Sequence, residues 1–191
     1  EDFTIELIRG TSCSGRPAKG SVTHRLDLDP ADIVPIDGIK VTSVIRTAFD
    51  IGRRGPRWRA LGYLDALQRA SGFSPDELAR YTESHRGRRG VRMLRELTPL
   101  INGLAESPPE SWTRLVMHDA GLPKPDVQIE VLDEHGNVIA RIDLGYKDFK
   151  VGIEYNGKEF HSSDAQIAHD AKREEMLTGR GWDMHAVESS G

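Results

Sequence analysis

The sequence predicts a mixed α/β chain in which an α-β-β-β-α-β unit at the C-terminus follows a helical region and a small β-rich segment. Three observations carry this expectation. Apolar residues recur at helical spacing between residues 42 and 104; the run Ser107-Pro108-Pro109-Glu110 is a strong helix start; and three short apolar runs lie close together between residues 127 and 155.

In chain order, Ile5-Glu6-Leu7-Ile8, Val22-Thr23-His24 and Ile39-Lys40-Val41 are short apolar stretches divided by Gly, Pro and Asp, the pattern of strands joined by turns. A helix is expected to start at Thr42 or Ser43. A second is expected over Trp58 to Ala70 through Leu61, Leu64, Ala66 and Leu67. Ser74-Pro75-Asp76-Glu77 offers a capping Ser, a Pro at the first helical position and acids in the first turn, so a third follows to about Tyr81. The loop His85-Arg86-Gly87-Arg88-Arg89-Gly90 leads into Val91 to Leu104, helical in spacing with a break near Pro99. The helix begun at Ser107 runs to about Ala120 and is stopped by Gly121-Leu122-Pro123. Strands are expected over Val127 to Leu132, Val138 to Leu144 and Lys150 to Tyr155, the first two joined through Asp133-Glu134-His135-Gly136-Asn137. Ala165 to Thr178 then reads as a helix and Trp182 to Val187 as a last strand. The expected division is a β-rich segment over 1–52, a basic helical region over 53–103 and the α/β unit over 104–191.

A chain of 191 residues can bury one good core or two small ones. Cys13 is its only cysteine, which excludes a disulfide framework and a thiolate metal cluster and fits a reducing cytoplasm. No apolar run approaches the ~20 residues that span a bilayer, and the start lacks a signal-like pattern, so no membrane partner is expected. The chain opens at Glu1-Asp2-Phe3 without Met, in what reads as the run-up to a strand, and part of a longer protein is expected upstream. Net charge is −4, yet it is unevenly spread: residues 53–95 hold 11 basic and 4 acidic side chains, whereas 96–191 hold 9 and 18. Position therefore matters more than the total.

The candidate chemistry sits in the strands. Asp143, within Ile142-Asp-Leu144, and Glu154, within Ile153-Glu-Tyr155, are acids in apolar settings, and an unpaired buried charge is expensive. Two acids on neighbouring strands repel unless a cation lies between them, and carboxylates suit a hard divalent ion such as Mg²⁺ or Mn²⁺. Glu110, in the first turn of the preceding helix, supplies a third oxygen ligand on this reading, or serves simply as a cap. His161 would take a proton from an attacking water, and such a set suits phosphodiester hydrolysis.

These residues resemble the PD-(D/E)xK nuclease superfamily in order and spacing: Glu110 on a helix, Asp143 in Arg-Ile-Asp-Leu-Gly-Tyr, and Glu154 in Gly-Ile-Glu-Tyr-Asn-Gly-Lys-Glu-Phe-His. More narrowly, Ser107-x-x-Glu110-Ser111-x-x-Arg114, the Glu154-x-Asn156-Gly157 turn with His161, and Asp170-x-x-Arg173-x-x-x-Leu177-x-x-x-Gly181-Trp182 look like the branch related to very-short-patch repair endonucleases, over residues 104–188. The resemblance implies a restriction-endonuclease-like core. It further implies a metal held by Asp143 and the main-chain carbonyl of Tyr155, with His161 as base. The superfamily Lys is replaced by Asn156, and Lys158, on the same strand face if the strand continues, is the substitute. The upstream region is similar to abortive-infection antitoxin-type regulators through Asp37-Gly38-x-x-Val41-Thr42-Ser43 and Arg46-Thr47-x-x-Asp50.

Arg53, Arg54, Arg57 and Arg59, then Arg86, Arg88, Arg89, Arg92 and Arg95, form either a solvated face that pairs with the acidic unit or a phosphate-binding surface. Gln166 and Arg173 share a face of the last helix and are candidates for seating a phosphate; an Asp170–Arg173 ion pair is the plainer account. Trp112, Trp182 and Phe160 are expected in the core. The expectation for function is a metal-dependent DNA endonuclease or nickase. The alternative is a DNA-binding regulator, antitoxin-like, with a degenerate nuclease domain. A homodimer or a protein partner stays open on sequence.

Overall fold

The computed structural model describes residues 5–16, 19–156 and 164–188. It divides into two compact units, residues 1–47 and 48–191.

In the first unit, β1 (Ile5–Arg9) pairs in parallel with β2 (Ser21–Arg25), and β3 (Ile33–Ile36) pairs antiparallel with β4 (Ile39–Thr42). The sequence reading places no strand over 33–36, where Pro35 cannot donate to a ladder; a two-stranded ribbon tolerates it, having an outer edge on each strand. The ribbon closes through Asp37 and Gly38, whose φ values of 49° and 80° are those of a type I′ turn. The Asp-Gly pair is therefore required by the hairpin itself. Before the ribbon, the Asp29 side chain accepts from Ala31 N at 2.9 Å and caps a short 3-10 turn, Pro30–Asp32. Asp32 is buried and accepts from Arg46 Nη1 at 3.0 Å, so the Arg46 of the antitoxin-like motif holds the turn to the helix α1 (Val44–Gly52).

The second unit carries the helices α2 (Arg57–Ser71), α3 (Pro75–Ser84), α4 (Val91–Leu97) and α5 (Pro108–Asp119). Ser74 and Ser107 cap α3 and α5 as the sequence leads one to expect, each accepting from the backbone N–H three residues on at 3.4 Å. The helix begun at Val91 ends at Leu97 and not at Leu104: Pro99 cannot supply an N–H, the backbone tightens to a 3-10 turn over Thr98–Leu100, and Ile101 is extended. Phe49, Leu61, Leu64, Leu78, Leu94 and Leu97 are fully buried and make the helical core. α2 packs on α5 around a buried ion pair, Arg114 Nη1 to Asp65 Oδ2 at 2.7 Å. Asp65 also accepts from Asn102 N at 2.8 Å, and Arg114 donates to the Leu100 carbonyl.

The remainder is one four-stranded sheet in the order β5 (Asp126–Leu132), β6 (Val138–Tyr146), β7 (Val151–Asn156), β8 (Asp183–Glu188). The first three strands form an antiparallel meander, and β8 returns parallel to β7 after α6 (Asp164–Gly179). The element order is α-β-β-β-α-β from α5 onward. Ile129, Val131, Ala140 and Ile142 of the meander pack with Leu177 of α6 and Trp182. Among the described residues no helix is long and apolar enough to cross a membrane.

Candidate functional site

Asp143 alternates along β6 with Ile142 and Leu144, both buried, so its side chain leaves the opposite face of the strand. The register pairs Leu144 with Ile153 on β7 and with Val127 on β5; one step along, Asp143 stands level with Glu154 and with Gln128. Glu110 is delivered from the first turn of α5 by the Ser107 cap. The four polar side chains thus come from one helix and three strands.

The two glutamates are fully engaged. Glu110, only 5% exposed, accepts from Glu106 N at 2.9 Å, Ser107 Oγ at 2.8 Å and Gln128 Nε2 at 3.0 Å. Glu154 meets the guanidinium of Arg173 from α6, with Nη1 2.9 Å from Oε2 and Nη2 against Oε1. Asp143 differs: among the described residues it makes no hydrogen bond or ion pair. Burial pushes its carboxyl up to about 6, and the charges of Glu110 and Glu154 push the same way against the pull of Arg173 and Arg141.

Gln128 is the residue sequence reading passes over. Its φ of 55° is left-handed in the middle of a strand, a conformation that costs about 1–3 kcal/mol in a non-glycine residue and marks a backbone held by its surroundings. Its Nε2 is spent on Glu110, and its buried Oε1 has no partner among the described residues. A signal was present: Val127-Gln128-Ile129 sets a polar residue between two apolar strand residues, as Ile142-Asp143-Leu144 does.

A divalent ion is the group the superfamily resemblance implies. Among the described residues, no three of His, Cys, Asp and Glu are arranged to hold one metal ion. The oxygens of Glu110 are taken by N–H and O–H donors and those of Glu154 by a guanidinium. As arranged, then, the two glutamates do not fit a divalent cation, and Arg173 supplies the positive charge that offsets Glu154, which leaves Asp143 as the one acid of the three free to meet a cation. Lys158 and His161 lie outside the described residues. Tyr155 is paired with Val187 of β8, and Gln166 lies in α6.

The basic stretch separates into two groups. Arg57 forks onto Asp119 at 2.7 and 3.1 Å, Arg95 onto Glu83 at 2.7 and 3.1 Å, and Arg53 binds Asp50 through Nε at 3.0 Å and Nη2 at 2.6 Å. Arg86, Arg88 and Arg89, on the exposed loop between α3 and α4, have no carboxylate partner among the described residues. Arg92, almost fully exposed, lies 3.4 Å from Glu96.

Residues 9–100 match the family described as the AbiEi antitoxin C-terminal domain. The chain is also 35% identical over 167 residues to two uncharacterized proteins of Mycobacterium tuberculosis, MT2308 of strain CDC 1551 and Rv2248 of strain H37Rv. Each match covers 87% of this chain and 60% of the relative, so the chain accounts for about three-fifths of the relatives' length. No solved structure matches it.

Proposed function

We propose that this chain is part of a DNA-binding regulator of the abortive-infection antitoxin type, with the Arg86–Arg92 loop and helix start as its contact to the DNA backbone. The observation that carries the reading is the antitoxin-domain match, which runs over both the Asp37-Gly38 hairpin and the whole basic stretch. The physical support is charge: a surplus of guanidinium groups without carboxylate partners among the described residues, on one exposed loop, suits sequence-independent phosphate contact. Arg59, whose guanidinium stacks 5.0 Å over the Trp58 ring, adds a further exposed cation nearby in sequence. On this reading the restriction-endonuclease-like order of α5 to β8 serves as a scaffold. A protein partner, or a second copy of the chain, is compatible with an antitoxin role. The test is gel retardation of a labelled duplex in EDTA, comparing the wild type with Arg86→Glu/Arg88→Glu. The reading expects a shift without metal that the reversal weakens; a shift unaffected by the reversal would refute the assigned surface.

A second reading, hydrolysis of phosphodiesters with Mg²⁺ or Mn²⁺, is supported by Asp143. A half-buried carboxyl raised to about 6 between two other acids is the kind of group that active sites retain at a cost in stability. Incubation with supercoiled plasmid and either metal, beside Asp143→Ala, tests it. Nicking by the wild type and none by the variant would establish the activity. Equal nicking by both would point away from this site.

A further inference from the structure

Of the arginines in the basic stretch, three line one cleft. A cavity of about 530 Å³ is bounded by Arg53, Arg54 and Gly55 from the turn between α1 and α2, and by Arg89, Gly90 and Met93 from the start of α4. We infer that this cleft is a binding site for a phosphate group, held by the guanidinium groups of Arg53, Arg54 and Arg89.

The two loops meet at close range. Gly90 has a φ of +82°, and a Cβ there would lie 1.9 Å from the Arg53 carbonyl oxygen, so the backbones meet at a distance only glycine permits. Arg53 Nη1 donates across the gap to the Arg89 carbonyl at 3.4 Å. The Arg53 guanidinium is oriented further by Asp50 and by the Phe49 ring, 5.1 Å beneath it. Arg54 approaches the same carboxylate at 3.6 Å. Arg89, which has no carboxylate partner among the described residues, brings to this cleft a guanidinium group beyond those that meet Asp50, a charge suited to a phosphate group. Guanidinium forks suit its tetrahedral oxygens, and a preset Arg53 loses little freedom on binding. The volume falls within the range of small-ligand sites, so the phosphate could belong to a mononucleotide or to a DNA backbone laid across the cleft.

For the DNA source the inference rests on the regulator reading; for a mononucleotide it stands alone. The experiment uses the chain as it is, with Arg54→Ala/Arg89→Ala and Arg89→Glu as cleft variants and Lys124→Ala as a one-charge control on an exposed loop elsewhere. Arg89→Ala keeps the carbonyl that Arg53 uses, and thermal melts confirm that each variant is folded. Calorimetry with inorganic phosphate and with AMP forms one arm, and anisotropy of a labelled duplex in EDTA the other. The inference expects at least one arm to bind and the double variant to weaken that binding about tenfold, with the control near wild type. Loss in the first arm only identifies a nucleotide site and leaves the regulator reading to its own test. Loss in the second, with the salt dependence reduced by about two charges, identifies backbone contact. Folded cleft variants that match the wild type in every arm that binds would overturn the inference while sparing DNA binding, and binding in neither arm would overturn both.

Discussion

The guanidinium of Arg173 closes a fork on the carboxylate of Glu154 and donates to the Arg141 carbonyl at 2.8 Å, so one cation ties α6 to both β7 and β6. It sits beside Asp143 and lowers that group's affinity for a proton. Removing it should raise the Asp143 titration above its value of about 6. Carboxyl-carbon NMR of Arg173→Gln would read this directly, and an unchanged or lowered midpoint would show that Arg173 does not govern the cluster.

Asp143 itself should limit stability at neutral pH. Its folded-state value, about 6, lies above the ordinary carboxyl value it has when unfolded, so the native state binds the extra proton. The contribution is fully present below the unfolded value and is lost as pH rises through about 6. After allowance for solvent screening, Asp143→Asn should gain about 1–2 kcal/mol at pH 7.5 and little at pH 4. Urea unfolding at the two pH values checks the difference; a loss of stability at pH 7.5 would contradict it.

The Asp65–Arg114 pair should act as a keystone for the helices. Both side chains are buried, and burial raises the Asp65 carboxyl despite the attraction of Arg114. Arg114→Ala would leave that acid without its ion partner inside the α2–α5 contact, at a cost of about 3–5 kcal/mol. Denaturant titration gives the number, and a cost under about 1 kcal/mol would mean that the pair is dispensable.

Gly90→Ala should be damaging out of proportion to one methyl group. The residue is left-handed and its Cβ would meet the Arg53 carbonyl, so the two loops must part, at a cost of at least about 2 kcal/mol. The same change at Gly87, whose Cβ would meet nothing within 4 Å, is the matched control. Equal melting temperatures for the two variants would contradict the close contact.

Elements whose signals are local were readable in the sequence. Ser74-Pro75-Asp76-Glu77 and Ser107-Pro108-Pro109-Glu110 announce α3 and α5, and apolar alternation announces the meander. The β3 strand was hidden because Pro35 argues against a ladder, and only the two-stranded ribbon makes it harmless. For the site, placing an acid between apolar neighbours on a strand was enough to single out Asp143 and Glu154. What Glu154 touches was not legible: the Arg173 fork depends on how α6 lies on the sheet, and periodicity along α6 cannot report that. Gln128 escaped because nothing in its own type announces a left-handed backbone. The sorting of the arginines was equally non-local, since Asp50, Glu83 and Asp119 claim Arg53, Arg95 and Arg57 through tertiary contacts.

Contact between the Arg86–Arg92 surface and the DNA backbone would show in the salt dependence of duplex binding in EDTA. Anisotropy titrations of a labelled duplex between about 50 and 200 mM salt should give a log–log slope of about −3.6 or steeper, as expected when four or more phosphates are neutralised. A slope near zero, or no binding at about 50 mM salt, would contradict it.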